Sequence, residues 1–374
     1  MSDQIVINQH YIPQCLLKYF ANDRDQVFEA LVEKGRVYPT NFRNSMSERF
    51  TYEHPRIEKN KVERYFHKIE SYIGSAVQRI IDTIEKHERE ENDFSEIEKI
   101  VFQHIREFII FYYRSGALLK EFEFEQKNKS DRVFLMLDKI LNSGYIRELS
   151  RTIISYYDFA IIKSDNNEFV LSDQYMSTVA LAIKNRFFNT SNRHIGMKDL
   201  MILIPLSSKY YVIFFDGQIP DYISKSRINT LLQEQVELIN EAIINNSYTK
   251  CIGSNRDSLE GATSKFEYQS PSATYAGGNG TVFGATLKKE VFFYQLDKEA
   301  WELFKSSSWV EYRELGRNDK CACISGKKFK ICCKDKIDIC KRMYSDIEQN
   351  RNNYKVHDDA IGEKCIDEFH AKEN

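Results

Sequence analysis

The chain predicts an α+β fold that ends in a small metal-binding module, and three observations carry the prediction. Apolar residues repeat at helical spacing through most of the first half. Short β-rich runs separated by polar turns dominate from residue 159 onward. Four cysteines then gather between residues 321 and 333.

Taken in order, Pro13 suits the first turn of a helix, and Leu16, Leu17 and Phe20 follow at helical spacing, with His10 just ahead of that turn. The next stretch, to about Tyr52, is mixed and reads as strand plus loop. From Lys61 to His87, residues such as Val62, Phe66, Ile69, Ile73, Val77, Ile80 and Ile84 form the apolar face of one long amphipathic helix. Ser95-Glu96-Ile97-Glu98 reads as a capping box that opens a second helix, running to about Glu125. Ser130 caps a third, which runs to about Tyr157 with a break near Ser143-Gly144.

Strand patterning then takes over. The runs 159–163 and 169–172 flank Ser164-Asp165-Asn166-Asn167, which reads as a hairpin turn. A second strand pair is expected at 201–206 and 210–215, and a further helix at 228–245. Residues 253–284 are rich in Ser, Gly, Thr and Asn and include Gly277-Gly278-Asn279-Gly280, a composition that predicts a flexible loop or linker. A strand at 290–295 and a short helix near 301–304 lead onward. The expected organisation is a main domain over 1–252, the linker over 253–284, connecting elements over 285–310, the cysteine module over 311–345 and a charged, partly disordered tail over 346–374.

Composition narrows the function. The 374 residues allow two or three domains, and 42% hydrophobic with 13% aromatic residues supplies a sizeable core. The formal charge of −2 gives no global attraction to nucleic acid, so any such contact needs a local patch. Of eight cysteines, Cys15, Cys251, Cys340 and Cys365 are scattered, and the chain shows neither an apolar N-terminal signal region nor an apolar run of about 18 residues. Together these predict a reducing, cytoplasmic setting.

Cys321, Cys323, Cys332 and Cys333 form a C-x-C, eight-residue loop, C-C arrangement that fits one tetrahedral, structural zinc per chain, whose binding would fold the segment. Four thiolates around a dication leave about two negative charges, which Arg317, Lys320, Lys327, Lys328, Lys330 and Lys334 offset. Gly316-Arg317-Asn318-Asp319, the cysteine spacing and Gly326-Lys327-Lys328-Phe329-Lys330 resemble the SEC-C motif, the zinc knuckle at the C-terminus of the SecA translocation motor that is also appended to other bacterial proteins. Lys320 and Ile324 depart from its usual proline and glycine, and neither is a ligand position. A bacterial or phage source is what this resemblance implies.

A second resemblance covers roughly residues 5–255. His10-Tyr11-Ile12-Pro13-Gln14 is similar to the opening His-Tyr-Val-Pro-Gln of the bacterial domain-of-unknown-function family 4238. Phe111-Tyr112-Tyr113-Arg114-Ser115, Phe169-Val170-Leu171-Ser172-Asp173-Gln174, Ile204-Pro205-Leu206-Ser207 and Asn240 fall in that family's order, with Ser115-Gly116 and Gln174-Tyr175 in place of Thr-Pro and Asn-Pro. The resemblance implies a fold family and no particular activity.

His10, Arg114 and Asp173 stand at element ends beside apolar runs, and two readings of them remain open. They could form a site for metal-assisted phosphodiester hydrolysis: His10 as general base or metal ligand, Asp173 as ligand to a second divalent cation or as orienter, Arg114 as clamp for a phosphate or carboxylate. Equally, His10 could bond the first helix, Asp173 could pin a turn, and Arg114 could pair with Glu70 or Asp173. His54, His67, His87 and His104 lack metal-ligand spacing. The chain has no phosphate loop opening a helix, no Gly-x-Ser-x-Gly elbow and no His-Glu-x-x-His pair, which disfavours nucleotide hydrolysis and those hydrolase classes. Two functions follow as expectations. One is a protein acting on nucleic acid, a metal-dependent nuclease suited to phage defence, with Lys327, Lys328 and Lys330 on phosphates. The other is an adaptor that docks a protein partner through the knuckle.

Overall fold

The computed structural model describes residues 5–90, 94–124, 128–165, 168–183, 195–268, 272–278, 281–306, 308–323 and 325–348, with the backbone alone at 89–90, 272–278, 281–288 and 346–348. Ile324, residues 166–167 of the polar turn, residues 279–280 of the glycine run and the tail beyond 348 lie outside these.

The N-terminal segment holds β1 (Asn8–His10), α1 (Gln14–Leu17), the hairpin strands β2 (Gln26–Leu31) and β3 (Arg36–Asn41), and β4 (Ser47–Arg49), which pairs back on β1. Six helices follow: α2 (Lys61–Glu90), α3 (Ser95–Gln103), α4 (Ile105–Arg114), α5 (Gly116–Phe124), α6 (Arg132–Leu141) and α7 (Ser143–Tyr156). The single helix expected from Ser95 to Glu125 is three. It breaks at His104 (φ −113°, ψ 9°) and again at Ser115, whose ψ of 156° is extended. The next break falls at Asn142, whose side chain caps α7 by accepting from the Tyr145 amide at 2.9 Å.

The second half supplies β5 (Asp158–Ser164), β6 (Leu171–Ser172), β7 (Ser177–Ala180), β8 (Leu200–Pro205), β9 (Tyr210–Asp216), β10 (Ile228–Leu231), α8 (Gln233–Asn245), β11 (Lys250–Gly253) and α9 (Arg256–Ser264). A five-stranded sheet runs β10-β5-β9-β8-β7 and a four-stranded sheet β3-β2-β11-β6; every pairing in them is antiparallel except β10 with β5. Strands β8 and β9 form the expected hairpin. The expected pairing of 159–163 with 169–172 does not occur, because β5 joins β9 and β10 while β6 joins β11 in the other sheet. Asn240 of α8 holds residues 168–170 away from β5: its Oδ1 accepts from the Val170 amide at 3.0 Å and its Nδ2 donates to the Glu168 carbonyl at 2.9 Å.

Residues 253–284, expected as linker, contain α9 and the hairpin β12 (Ser272–Gly278) with β13 (Thr281–Lys288). Asn255 caps α9 by accepting from the Asp257 and Ser258 amides, and Leu259 with Ala262 anchors it on the core, signals that the polar composition hides. α10 (Gln295–Lys305) and α11 (Lys334–Glu348) follow as the last elements among the described residues.

Among the described residues two apolar cores result. The larger runs from Tyr11 to Val291 through the helices and both sheets. The smaller packs Trp301, Phe304 and Trp309 with Tyr312, Phe329, Ile337 and Met343 of the C-terminal module and includes Ile183. Residues 291–293 join the two by extending the five-stranded sheet beyond β7, with the Ala180 amide donating to the Val291 carbonyl at 2.7 Å and the Phe293 amide to the Ala180 carbonyl at 2.9 Å.

Candidate metal centre

A tight turn opens the cysteine module: the Asp319 carboxylate accepts from the Gly316 amide at 2.7 Å while the Asp319 amide donates to the Gly316 carbonyl. The chain then folds back on itself. Lys320 bridges Lys328, the Cys321 amide donates to the Lys327 carbonyl at 2.8 Å, and Gly326 makes the reversal at a φ of +68° that other residues rarely adopt. Cys332 and Cys333 stand immediately before α11, and burial, with the neighbouring cysteines adding, pushes the Cys333 thiol up.

This fold-back brings the sulfurs of Cys321, Cys323, Cys332 and Cys333 within 4.8 Å of one another, the one such group among the described residues. Cys323 and Cys332 Sγ are 3.3 Å apart, and Cys332 and Cys333 Sγ 3.8 Å. A tetrahedral thiolate set around one zinc has sulfur–sulfur edges of roughly 3.8 Å, so the four residues fit a closed metal site. The Ser325 hydroxyl and amide hold the Cys323 thiol down to about 6. The cluster could therefore bind a metal ion through all four residues.

Around it the surface is cationic. Residues 311–345 carry ten basic against five acidic side chains, although the whole chain is at −2. Lys334 pairs with Asp338 and Lys336 with Glu299. Arg317, Lys320, Lys327, Lys328 and Lys330 are exposed, and among the described residues none of them enters an ion pair.

His10, Arg114 and Asp173 are placed very differently. Arg114 is fully buried at the end of α4; its guanidinium pairs with Glu70 at 2.7 Å, donates to the Tyr52 hydroxyl at 3.2 Å and to the His10 carbonyl, and lies 4.0 Å over the Phe66 ring. Burial opposes the Arg114 charge, but Tyr52 and Glu70 more than offset it and raise its pKa. Asp173 is also fully buried. One oxygen accepts from the Tyr248 amide at 2.9 Å, and the other from the Thr249 amide, the Thr249 hydroxyl and the Lys250 amide at 2.8, 2.7 and 3.1 Å. Burial pushes its carboxyl up, with these bonds opposing. The Asp173 carbonyl also accepts from the Ala117 amide at the start of α5, which ties the β6 turn to the helices.

His10 is half-buried, with Nε2 3.0 Å from the Arg43 carbonyl, and burial lowers its pKa. Its main chain meets Arg114, but the structure does not bring the three side chains to one open cleft. A metal at Asp173 would have to displace four hydrogen bonds from a site with no exposed surface.

Sequence reasoning missed Glu63, which lies two helical turns before Glu70 on the same face of α2. Its Oε2 is buried without a hydrogen-bond partner, and burial, with Glu70 and Glu53 adding and Arg114 opposing, raises its pKa to about 7. The i, i+7 spacing of two glutamates on an apolar-faced helix was the available signal.

A family model described as Protein of unknown function (DUF4238) matches residues 8–257. That span contains His10, Arg114 and Asp173 and ends before the four cysteines. Searches of curated proteins and of solved structures give no match.

Proposed function

The chain belongs to the family described as Protein of unknown function (DUF4238), and from the module that follows the family's span we propose a cytoplasmic protein that binds nucleic acid through a structural zinc knuckle. Cys321, Cys323, Cys332 and Cys333 would hold the zinc in the manner of a SEC-C motif, and the metal would supply folding energy with no open coordination position. The supporting observation is the group of exposed cations at Arg317, Lys320, Lys327, Lys328 and Lys330 around the sulfurs, none of them in an ion pair among the described residues. Displacing counterions from nucleic acid phosphates is the interaction such a surface favours.

The body's part in this reading is to carry the knuckle. A nuclease step would need a metal at Asp173 or a base at His10 reaching substrate, and the burial of Asp173 favours the framework role. Protein docking is the second reading, favoured by Ile331, which stands 67% exposed among the same lysines.

Zinc content is measured first, on wild type and on a Cys332→Ser, Cys333→Ser double variant; about one zinc per chain in the first and little in the second is expected, and equal content would refute the ligand set. Binding to duplex and single-stranded oligonucleotides is then followed against salt. Affinity that falls steeply with salt supports the reading, and no binding at low salt transfers the surface to a protein partner.

A further inference from the structure

The four sulfurs are not equivalent. Cys321 is buried in the module's core, whereas Cys323, Cys332 and Cys333 are half-buried. Cys332 and Cys333 are neighbours in sequence, with Cα atoms about 3.8 Å apart, short of the roughly 4.4–6.8 Å that a disulfide usually spans. That leaves Cys323 to join either Cys332 or Cys333, and the short sulfur–sulfur approach and the shared Ser325 contact favour Cys332. The Cys323 and Cys332 sulfurs are 3.3 Å apart, and the Ser325 hydroxyl contacts both, at 2.9 and 3.1 Å.

Resting on the zinc assignment made above, we propose that Cys323 and Cys332 form a peroxide-sensitive switch: two-electron oxidation joins them in a disulfide, ejects the metal and unfolds the knuckle. In the first step the Cys323 thiolate attacks a peroxide oxygen; an S–O bond forms, the O–O bond breaks, and the departing hydroxide takes a proton to become water. The Cys332 thiolate then attacks the sulfenic sulfur; the S–S bond forms, the S–O bond breaks, and a second hydroxide is protonated to water. The two sulfurs give up two electrons and the peroxide accepts them. Cys321 and Cys333 remain, half of the set that closes a structural site.

The consequence is local. None of the four cysteines belongs to the larger core, so oxidation would remove the cationic surface while the body stays folded. Disulfide reduction and fresh zinc would restore it.

The test uses the full zinc-loaded chain. Hydrogen peroxide is titrated in while a metallochromic dye reads zinc release and intact mass and peptide mapping read the sulfurs. One zinc released per Cys323–Cys332 disulfide, reversed by dithiothreitol with zinc, is the expected result. Cys323→His keeps a Cys₃His set able to hold zinc but lacks the attacking sulfur, so release should slow by roughly tenfold or more. Zinc retained through peroxide that fully oxidises free glutathione overturns the proposal, as does release accompanied only by sulfinic acid or by a Cys321–Cys333 bridge. Should Cys323→His fail to hold zinc, the wild-type peptide map decides alone. A chain that carries no zinc before peroxide is added refutes the zinc assignment, and the switch with it.

Discussion

In the body, Arg114 and Asp173 are wholly buried and their polar bonds close on the protein itself, whereas the C-terminal module keeps its cations at the surface and gathers four sulfurs around one point. The two regions use polar chemistry for different ends. A large apolar core can bury a charge only when that charge is fully satisfied, so the body's landmarks become its joints. A small core of about a dozen apolar side chains cannot hold a fold-back of charged residues, and a metal is the usual supplement.

The sharpest way to break this contrast is to remove a joint. Asp173→Ala would leave the Tyr248, Thr249 and Lys250 amides without their acceptor, at a cost of about 3 kcal/mol or more. Arg114→Leu would strand Glu70, with a loss of about 3–5 kcal/mol. Denaturant unfolding should show both as large drops in the main transition. Native stability in Asp173→Ala together with lost cleavage of nucleic acid would instead make Asp173 a ligand.

A smaller effect is expected at Glu63. Its folded pKa, near 7, lies above the unfolded value of 4.5, so the folded state holds the proton more tightly, and stability should fall as pH rises from about 4.5 to 7 and then level off. Glu63→Gln removes this charge and should stabilise the body at pH 8 by on the order of 1 kcal/mol, after discounting for the group's solvent exposure, with little change at pH 4. Equal unfolding midpoints for variant and wild type at pH 8 would show that the carboxylate is solvated.

The smallest effect on folding is expected at the module's surface. Lys327→Gln, Lys328→Gln and Lys330→Gln together should leave both unfolding transitions in place while lowering the salt slope of nucleic acid binding by roughly 0.7–0.9 per lysine. An unchanged slope would place the contact elsewhere.

Local signals were legible in the sequence and long-range ones were not. The apolar stripe of α2 and the β8–β9 hairpin follow directly from periodicity, and the four cysteines from spacing. The partner of β6 could not be read, because it depends on Asn240 some 70 residues away holding the chain off β5. Likewise nothing near Asp173 announces the amides of residues 248–250 that surround it. α9 was obscured because a polar nine-residue helix with two core contacts has the composition of a loop.

Metal is expected to fold the module, and apolar burial the body. Hydrogen exchange on the zinc-loaded full chain, with and without a strong chelator, tests this most directly. Chelation should remove protection from residues 316–333 and leave α2, α4, β8 and β9 unchanged. Protection kept at 316–333, or lost from those body elements as well, would contradict it.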